Sequence, residues 1–459
     1  MRFILVSLLL SVGCCAFGQH PADSDTTGMA AAKKQLEKSR KQRQQFEAIL
    51  THFDGDRDAA RDSLNKFRIA ALEQEAVNRV ESYKSNTQLD TLKEIDLSHG
   101  RLTAIPSFVF QATSLERLIL DHNDLHKLSG KLKKLKALKQ LDWSYIYADH
   151  KKAKIPKIKS LEHLDLSENS FQKIANLKKL KSLKTLDLST NAFTAIPVKS
   201  LLGNRKLEDL YLNKNTEIQI GPGNYEAIPN LKVLKLASCD LTSIDESLYG
   251  MTSLTELQLP ENKLQSIPGG ISNLGRLKTL SFYKNELTNL PADFYNLKNL
   301  QIVDLYYNQL EVIDTAISLL TKLEILYLSN NKIYDIPAQL GALPKLRELY
   351  LAHNNLTSIP ELKDLTSLKV LRIDNNTLYE FPKDLLYLTH LTYLDFSSNQ
   401  ISGLPPGMDT SFPEMQLLYF RENPIDFNIP QNQYIAPMIW EMSQRGVVCS
   451  PSFSKEGPQ

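Results

Sequence analysis

From residue 92 onward the apolar positions of this chain fall in one recurring order. In LEILYLSNNKIYDIP, Leu323 and Leu326 stand three apart, Leu328 follows two later, Asn331 three later again, and the segment closes on Ile-Pro. The order L-x-x-L-x-L-x-x-N-x-L-x-x-I-P starts fourteen times between Leu92 and Leu391, at intervals of 22, 23 or 24 residues. Met415 opens a degenerate fifteenth copy. The period-two part predicts a short strand with its leucines turned inward. The asparagine ends that strand, because its amide can both donate to and accept from backbone groups of a neighbouring coil. It recurs in twelve copies, while Gly100, Ile146 and Cys239 take its place in the other three. Cys239 is therefore expected as a buried core thiol. Proline has no N–H for a sheet ladder, so the Ile-Pro segment belongs to the return leg of each copy.

A pattern of this length and regularity resembles the leucine-rich-repeat family, over about residues 92–425. The resemblance implies an α/β solenoid, a leucine-rich-repeat horseshoe with a concave parallel β-sheet. Fifteen strands at ~4.8 Å spacing give about 70 Å of sheet. One repeat cannot bury its own leucines, and stacking buries them between neighbours. The resemblance also implies a non-enzymatic scaffold that binds a protein or peptide on its concave face. No H-E-x-x-H, C-x-x-C or G-x-S-x-G motif occurs and no histidine clusters with carboxylates at a metal-ligand spacing in the sequence, so neither cofactor nor metal is expected. Glycan or cell-envelope adhesion by the same face is the alternative.

The two ends need a different account, since a solenoid exposes its core unless capped. YIAPMIWEMSQRG places Ile435, Met438, Ile439 and Met442 on one helical face, with Gly446 at its end. Residues 426–459 are thus expected as a C-terminal cap and tail, disordered after Cys449. At the other end, MRFILVSLLLSVGCCAFGQ has the layout of a signal peptide, with cleavage after Gly18. Residues 19–28 read as a flexible leader and 29–90 as a charged helical segment, either a cap or a partner-binding hairpin. The apolar run is shorter than the ~20 residues of a membrane span. Export to the periplasm, cell surface or medium is the expectation; a lipid anchor at Cys14 is the less favoured variant, because Ser11 sits where a lipobox carries an aliphatic residue.

Composition narrows the chemistry. Lysine plus arginine number 54 and aspartate plus glutamate 52, which does not suit a nucleic-acid binder with its strongly basic face. Lysines at 131–136, 151–159 and 178–181 fall on return segments, where a solvated face is the plainer reading than an anionic partner. FDGDRDAARDSL opens like a calcium loop but has Ala59 and Asn65 at the positions that need glycine and glutamate. GGISNLGRL spaces Gly270 and Gly275 like a phosphate loop, yet Arg276 and Leu277 replace the lysine and hydroxyl residue.

What remains is the outward side of the strands, where no core requirement is expected to choose the residue. Between the second and third leucines stand Asp142, Asp165 and Asp187, then Tyr211 and Lys235, and later Tyr327, Tyr350, Arg372 and Tyr419. Just before the asparagine stand Tyr283, Tyr306, Tyr307 and His353. Tyrosine and arginine are enriched where proteins bind one another. Tyrosine also suits strands, so packing on the sheet is the competing reading. The candidate ligand-binding residues are Tyr283, Tyr306, Tyr307, Tyr327, Tyr350, His353, Arg372 and Tyr419.

Overall fold

The computed structural model describes residues 57–146, 152–175, 177–454 and 457–458. The signal-peptide and leader readings, the first half of the N-terminal helical segment and the calcium-like acidic residues Asp54 and Asp56 lie outside them. The chain divides into two compact units, residues 1–75 and 76–459. The described part of the first is helical, the opening turns of the helix Arg57–Ser85.

The second unit is built on a sixteen-stranded sheet in which every pairing is parallel and neighbours follow chain order. Each strand is three residues long, with its middle residue inward, as with Ile95, Leu118, Leu280, Val303, Leu326 and Leu349. Return legs carry short 3-10 turns, some started by a capping side chain: Asp245 accepts from the Ser247 N–H and Asp314 from the Ala316 N–H. Between sheet and return legs runs one continuous leucine core.

The asparagine works as a clamp between repeats. Asn308 Nδ2 donates to the carbonyl of Phe282 in the preceding repeat and to that of Leu305 in its own, at 2.9 and 3.1 Å. Its Oδ1 accepts from the Leu287 N–H at 3.0 Å. Asn331, Asn354 and Asn399 make the same three bonds. Cys239 is fully buried and its thiol donates to the Leu212 carbonyl at 3.3 Å. Burial pushes that thiol up to about 11, so it stays protonated and serves as a donor.

The residue before this position has a positive φ in each repeat, from His99 at 57° to Glu422 at 57°. Tyr307, at 55°, is one of them. The expectation that nothing structural weighs on Tyr307 is therefore corrected. The turn that lets its N–H reach the Ser329 carbonyl, and the Asn308 N–H reach that of Asn330, needs left-handed backbone.

Both ends of the core are covered. Within the second unit, Ala76 and Val80 are buried and Tyr83 stacks on Phe108 at 6.0 Å. Arg79 donates to the Ser98 carbonyl at 2.8 Å. At the other end the helix Ile435–Gln444 buries Ile435, Met438, Ile439 and Met442, the four positions its spacing marks. Gly446 ends it with φ 92°.

The segment after Cys449 differs from the sequence expectation of disorder. Val448–Ser450 adds the sixteenth strand, parallel to Leu417–Tyr419, and Phe453–Ser454 pairs antiparallel with Gly457–Pro458. Phe453 is buried against Phe420 and Phe427. The physical reason is the last repeat's open edge and apolar end, which an additional strand and one aromatic ring satisfy.

Candidate ligand-binding face

The register brings one row of side chains together across six strands. Asp304, Tyr327, Tyr350, Arg372, Asp395 and Tyr419 are consecutive partners on the solvent side of the sheet. Neighbouring strands lie ~4.8 Å apart, so aromatic side chains in such a row must stack or splay. Tyr327 and Tyr350 stack, with ring centroids 4.7 Å apart and planes 19° from parallel. Tyr419 meets Tyr393 edge-on at 5.7 Å. Sequence reasoning passed over Tyr393; it occupies the other outward position of its strand, and reading both outward columns would have found it.

A second group rises from the strand ends. Tyr283 and Tyr306 stack at 5.7 Å, and Tyr307 stands edge-on to Tyr306 at 4.5 Å and to Tyr283 at 6.0 Å. Tyr307 is 45% exposed, while Tyr306 is half-buried. Burial first, then the Tyr307 hydroxyl, hold the Tyr306 phenol well above its ordinary value, so it stays protonated and can donate. The Tyr350 hydroxyl donates to Glu348 at 2.8 Å and is likewise held up, chiefly by burial.

Arg372 adjoins the Tyr327–Tyr350 pair but is not a loose cation. Its guanidinium grips Asp374 with Nε and Nη2 at 3.1 and 3.0 Å, and its Nε lies 4.0 Å from Asp395. The Asp374 carboxylate is almost wholly buried. The fork is thus held in place and its charge largely balanced, leaving donors for a polar group more than for a free anion. His353 stands apart from the rings. It is exposed, and its neighbours in the left-handed column are Asn330 and Asn375.

The acidic end of the row has a structural role. Asp142, Asp165 and Asp187 each accept from the backbone N–H of the serine two residues on. Burial is the first cause of their raised carboxyl values, and Asp165, flanked by the other two, is pushed up to about 6. The phosphate-like loop also has a local explanation, since Asp293 Oδ2 takes the N–H groups of Gly270 and Ser272. Among the described residues, the early lysines are exposed on return segments.

One group was missed from sequence. In the column that holds Tyr307 and His353, the first three repeats carry His99, His122 and Tyr145. His122 stacks between the other two rings, 4.2 Å from each, with planes 28° from His99 and 13° from Tyr145. Asp121 lies beside it, its Oδ2 2.7 Å from His122 Nδ1. Following the column before the asparagine back to the first repeat would have exposed it.

The repeats have counterparts among known proteins. Models described as leucine rich repeat match residues 90–145, 181–241, 229–287 and 366–425; one described as two copies of the repeat matches 159–200, and one described as a leucine-rich repeat region matches 262–380. No curated protein matches the sequence significantly. Among solved structures, a leucine-rich-repeat protein of Leptospira interrogans is similar at 26% identity and TM-score 0.65, over 81% of this chain and 98% of that one. A plant peptide hormone receptor, RGFR1 in complex with RGF2, is similar at 26% identity and TM-score 0.53, over 70% of this chain and 53% of that one. The Toll–Spatzle complex of Drosophila shares the fold at 24% identity and TM-score 0.62, over 71% of this chain and 46% of that one. Among the described residues no helix is long and apolar enough to cross a membrane. With its repeats matched from 90 to 145 and from 159 to 425, the chain belongs to the leucine-rich-repeat family.

Proposed function

We propose that the chain is a protein-interaction scaffold that captures a peptide or an extended protein segment on its sheet face, along the strands from Thr279–Ser281 to Leu417–Tyr419. The observation that carries this reading is the gathering of Tyr283, Tyr306, Tyr307, Tyr327 and Tyr350 into two mutually packed groups on one face of four consecutive repeats. Packed rings are already positioned, so little side-chain entropy is lost when a partner arrives. Tyr307 is 45% exposed and the other four rings are half-buried, so the face offers apolar area with polar tips. Arg372, fixed by Asp374, adds oriented donors at the border. A similar receptor whose solved structure contains a bound peptide hormone lends support.

The face is assigned binding and no reaction. Mutual stacking covers much of the ring faces that a sugar would need, which favours a peptide over a glycan. Export remains part of the proposal, and fractionation of source cells with N-terminal sequencing of the mature chain tests it. For the binding reading, Tyr306, Tyr327 and Tyr350 are replaced together by alanine, and partners are recovered from the native source by pull-down. Loss of a partner that the unaltered chain retains is the expected result. Recovery of the same partner in the same amount removes this face from consideration, and retention on a polysaccharide array instead would favour the glycan reading.

A further inference from the structure

We propose that His99, His122 and Asp121 form a site for a divalent transition metal of the zinc class, joining the first two repeats. Each residue offers one ligand atom, and the three atoms lie within 4.8 Å of one another. The backbone sets up this meeting. His99 and His122 hold the same left-handed position in consecutive repeats, with φ 57° and 53°, which turns both imidazoles off the same rim of the sheet. The His99 N–H donates to the Asp121 carbonyl at 3.1 Å, tying the two segments together. Tyr145 covers the far side of His122. All three candidate ligands are partly buried, so an ion can enter and still shed some of its water.

Two imidazoles and a carboxylate suit a borderline cation such as Zn2+, whereas Mg2+ and Ca2+ call for a shell of oxygens. Zinc–nitrogen and zinc–oxygen bonds of ~2.0–2.2 Å put tetrahedral ligand atoms on the order of 3.3–3.5 Å apart. The widest spacing would close by up to about 1.4 Å, while the stacked His99 and His122 rings tilt so that their in-plane lone pairs converge on the ion. Asp121, already beside His122 Nδ1, either binds the ion directly or orients that ring. Arg79 lies in the same region, but its guanidinium donates to the Ser98 carbonyl and hydroxyl and sits 3.7 Å from Asp96. A three-ligand site leaves a coordination position open to water or an incoming group.

The test uses the untagged full chain, stripped of metal by dialysis against a chelator. It is titrated with ZnCl2 by isothermal calorimetry, with CaCl2 as the control. Saturable uptake of one ion and a rise in Tm with zinc are expected, with neither seen for calcium. The diagnostic variants are His99→Asn and His122→Asn, because Asn330 and Asn375 already occupy the equivalent left-handed position at φ 56° and 53°. Each should keep the circular dichroism of the parent and weaken zinc binding by about tenfold or more. The proposal is overturned if the parent takes up no zinc. It is equally overturned if both variants bind zinc as the parent does.

Discussion

Tyr327 and Tyr350 are direct partners in adjacent parallel strands, and their rings lie 4.7 Å apart with planes 19° from parallel. Such a pair is worth about 0.5–1.5 kcal/mol beyond the area it buries. A double-mutant cycle with Tyr327→Ala and Tyr350→Ala should therefore give a coupling of that size in urea melts. Tyr350→Phe, which removes only the hydroxyl bonded to Glu348, should cost well under either alanine change. A coupling indistinguishable from zero would mean the rings are neighbours without stabilising one another, and would weaken the view of a preformed binding patch.

The asparagine clamp makes a sharper prediction. Asn308→Ala leaves the Phe282 and Leu305 carbonyls and the Leu287 N–H without this partner in a buried place. Unmet buried polar groups cost about 1–3 kcal/mol each before relaxation, so a loss of roughly 2–4 kcal/mol is expected. Asn308→Cys should cost less than alanine and more than nothing. The thiol can donate to a preceding carbonyl as Cys239 does to Leu212, but it accepts poorly from Leu287. Cysteine suffices at 239 because Ile218, the buried counterpart of Leu287, turns its N–H to the Asn215 carbonyl. Equal melting midpoints for the alanine and cysteine variants would show that the donor half of the clamp contributes nothing.

The strand, clamp and return leg were legible in the sequence because each repeat solves the same burial problem and writes the same residues. Leu326 and Asn331 could be placed from spacing alone. The face was half legible. The row Tyr327, Tyr350, Arg372 follows from counting outward positions, but pairing chemistry does not, and Arg372 proved to be gripped by Asp374. Three things stayed hidden for physical reasons. Positive φ before the asparagine is a backbone property that side chains as different as lysine, tyrosine and histidine tolerate, so no residue type marks it. The His99, His122 and Tyr145 stack joins residues about 23 apart, and shows only when that column is read through every repeat. Phe453 looked like part of a loose tail because nothing periodic surrounds it; the open edge of the last repeat gives it its place.

Asp165 gives the chain a pH signature. Its carboxyl is pushed up to about 6 from 3.8, first by burial, with Asp187 and Asp142 adding like charge and Ser167 opposing. A carboxyl raised in this way binds its proton more tightly folded than unfolded. The stability linked to it is full below about pH 4, falls as pH rises toward 6 and stays lost above. Asp165→Asn keeps an oxygen for the Ser167 N–H and hydroxyl and removes the charge. It should stabilise the fold at pH 7.5 by about 1–2 kcal/mol, a figure reduced for a strip partly open to water. The difference from the parent should shrink on acidification to pH 4. A variant no more stable than the parent at pH 7.5 would show that Ser167 already meets the cost of the buried charge.

Tyr307 offers a way to separate what the scaffold needs from what a partner would touch. Its φ of 55° is a demand of the turn, shared with Asn330 one repeat on, whereas its ring is 45% exposed beside Tyr306 and Tyr283. Tyr307→Asn therefore satisfies the backbone and removes the ring. Stability should change by less than about 1 kcal/mol, because asparagine enters the left-handed region readily. Tyr307→Val removes the same ring but puts a branched Cβ where φ is positive, and should cost about 1 kcal/mol more than asparagine. Thr190 occupies the equivalent position at 52° with its hydroxyl bonded to Glu168, an anchor that valine lacks. If the ring serves a partner, both variants lose binding alike while only valine lowers the melting temperature appreciably. If asparagine binds as the parent does, Tyr307 is there for the turn, and the contact patch contracts to Tyr283, Tyr306, Tyr327 and Tyr350.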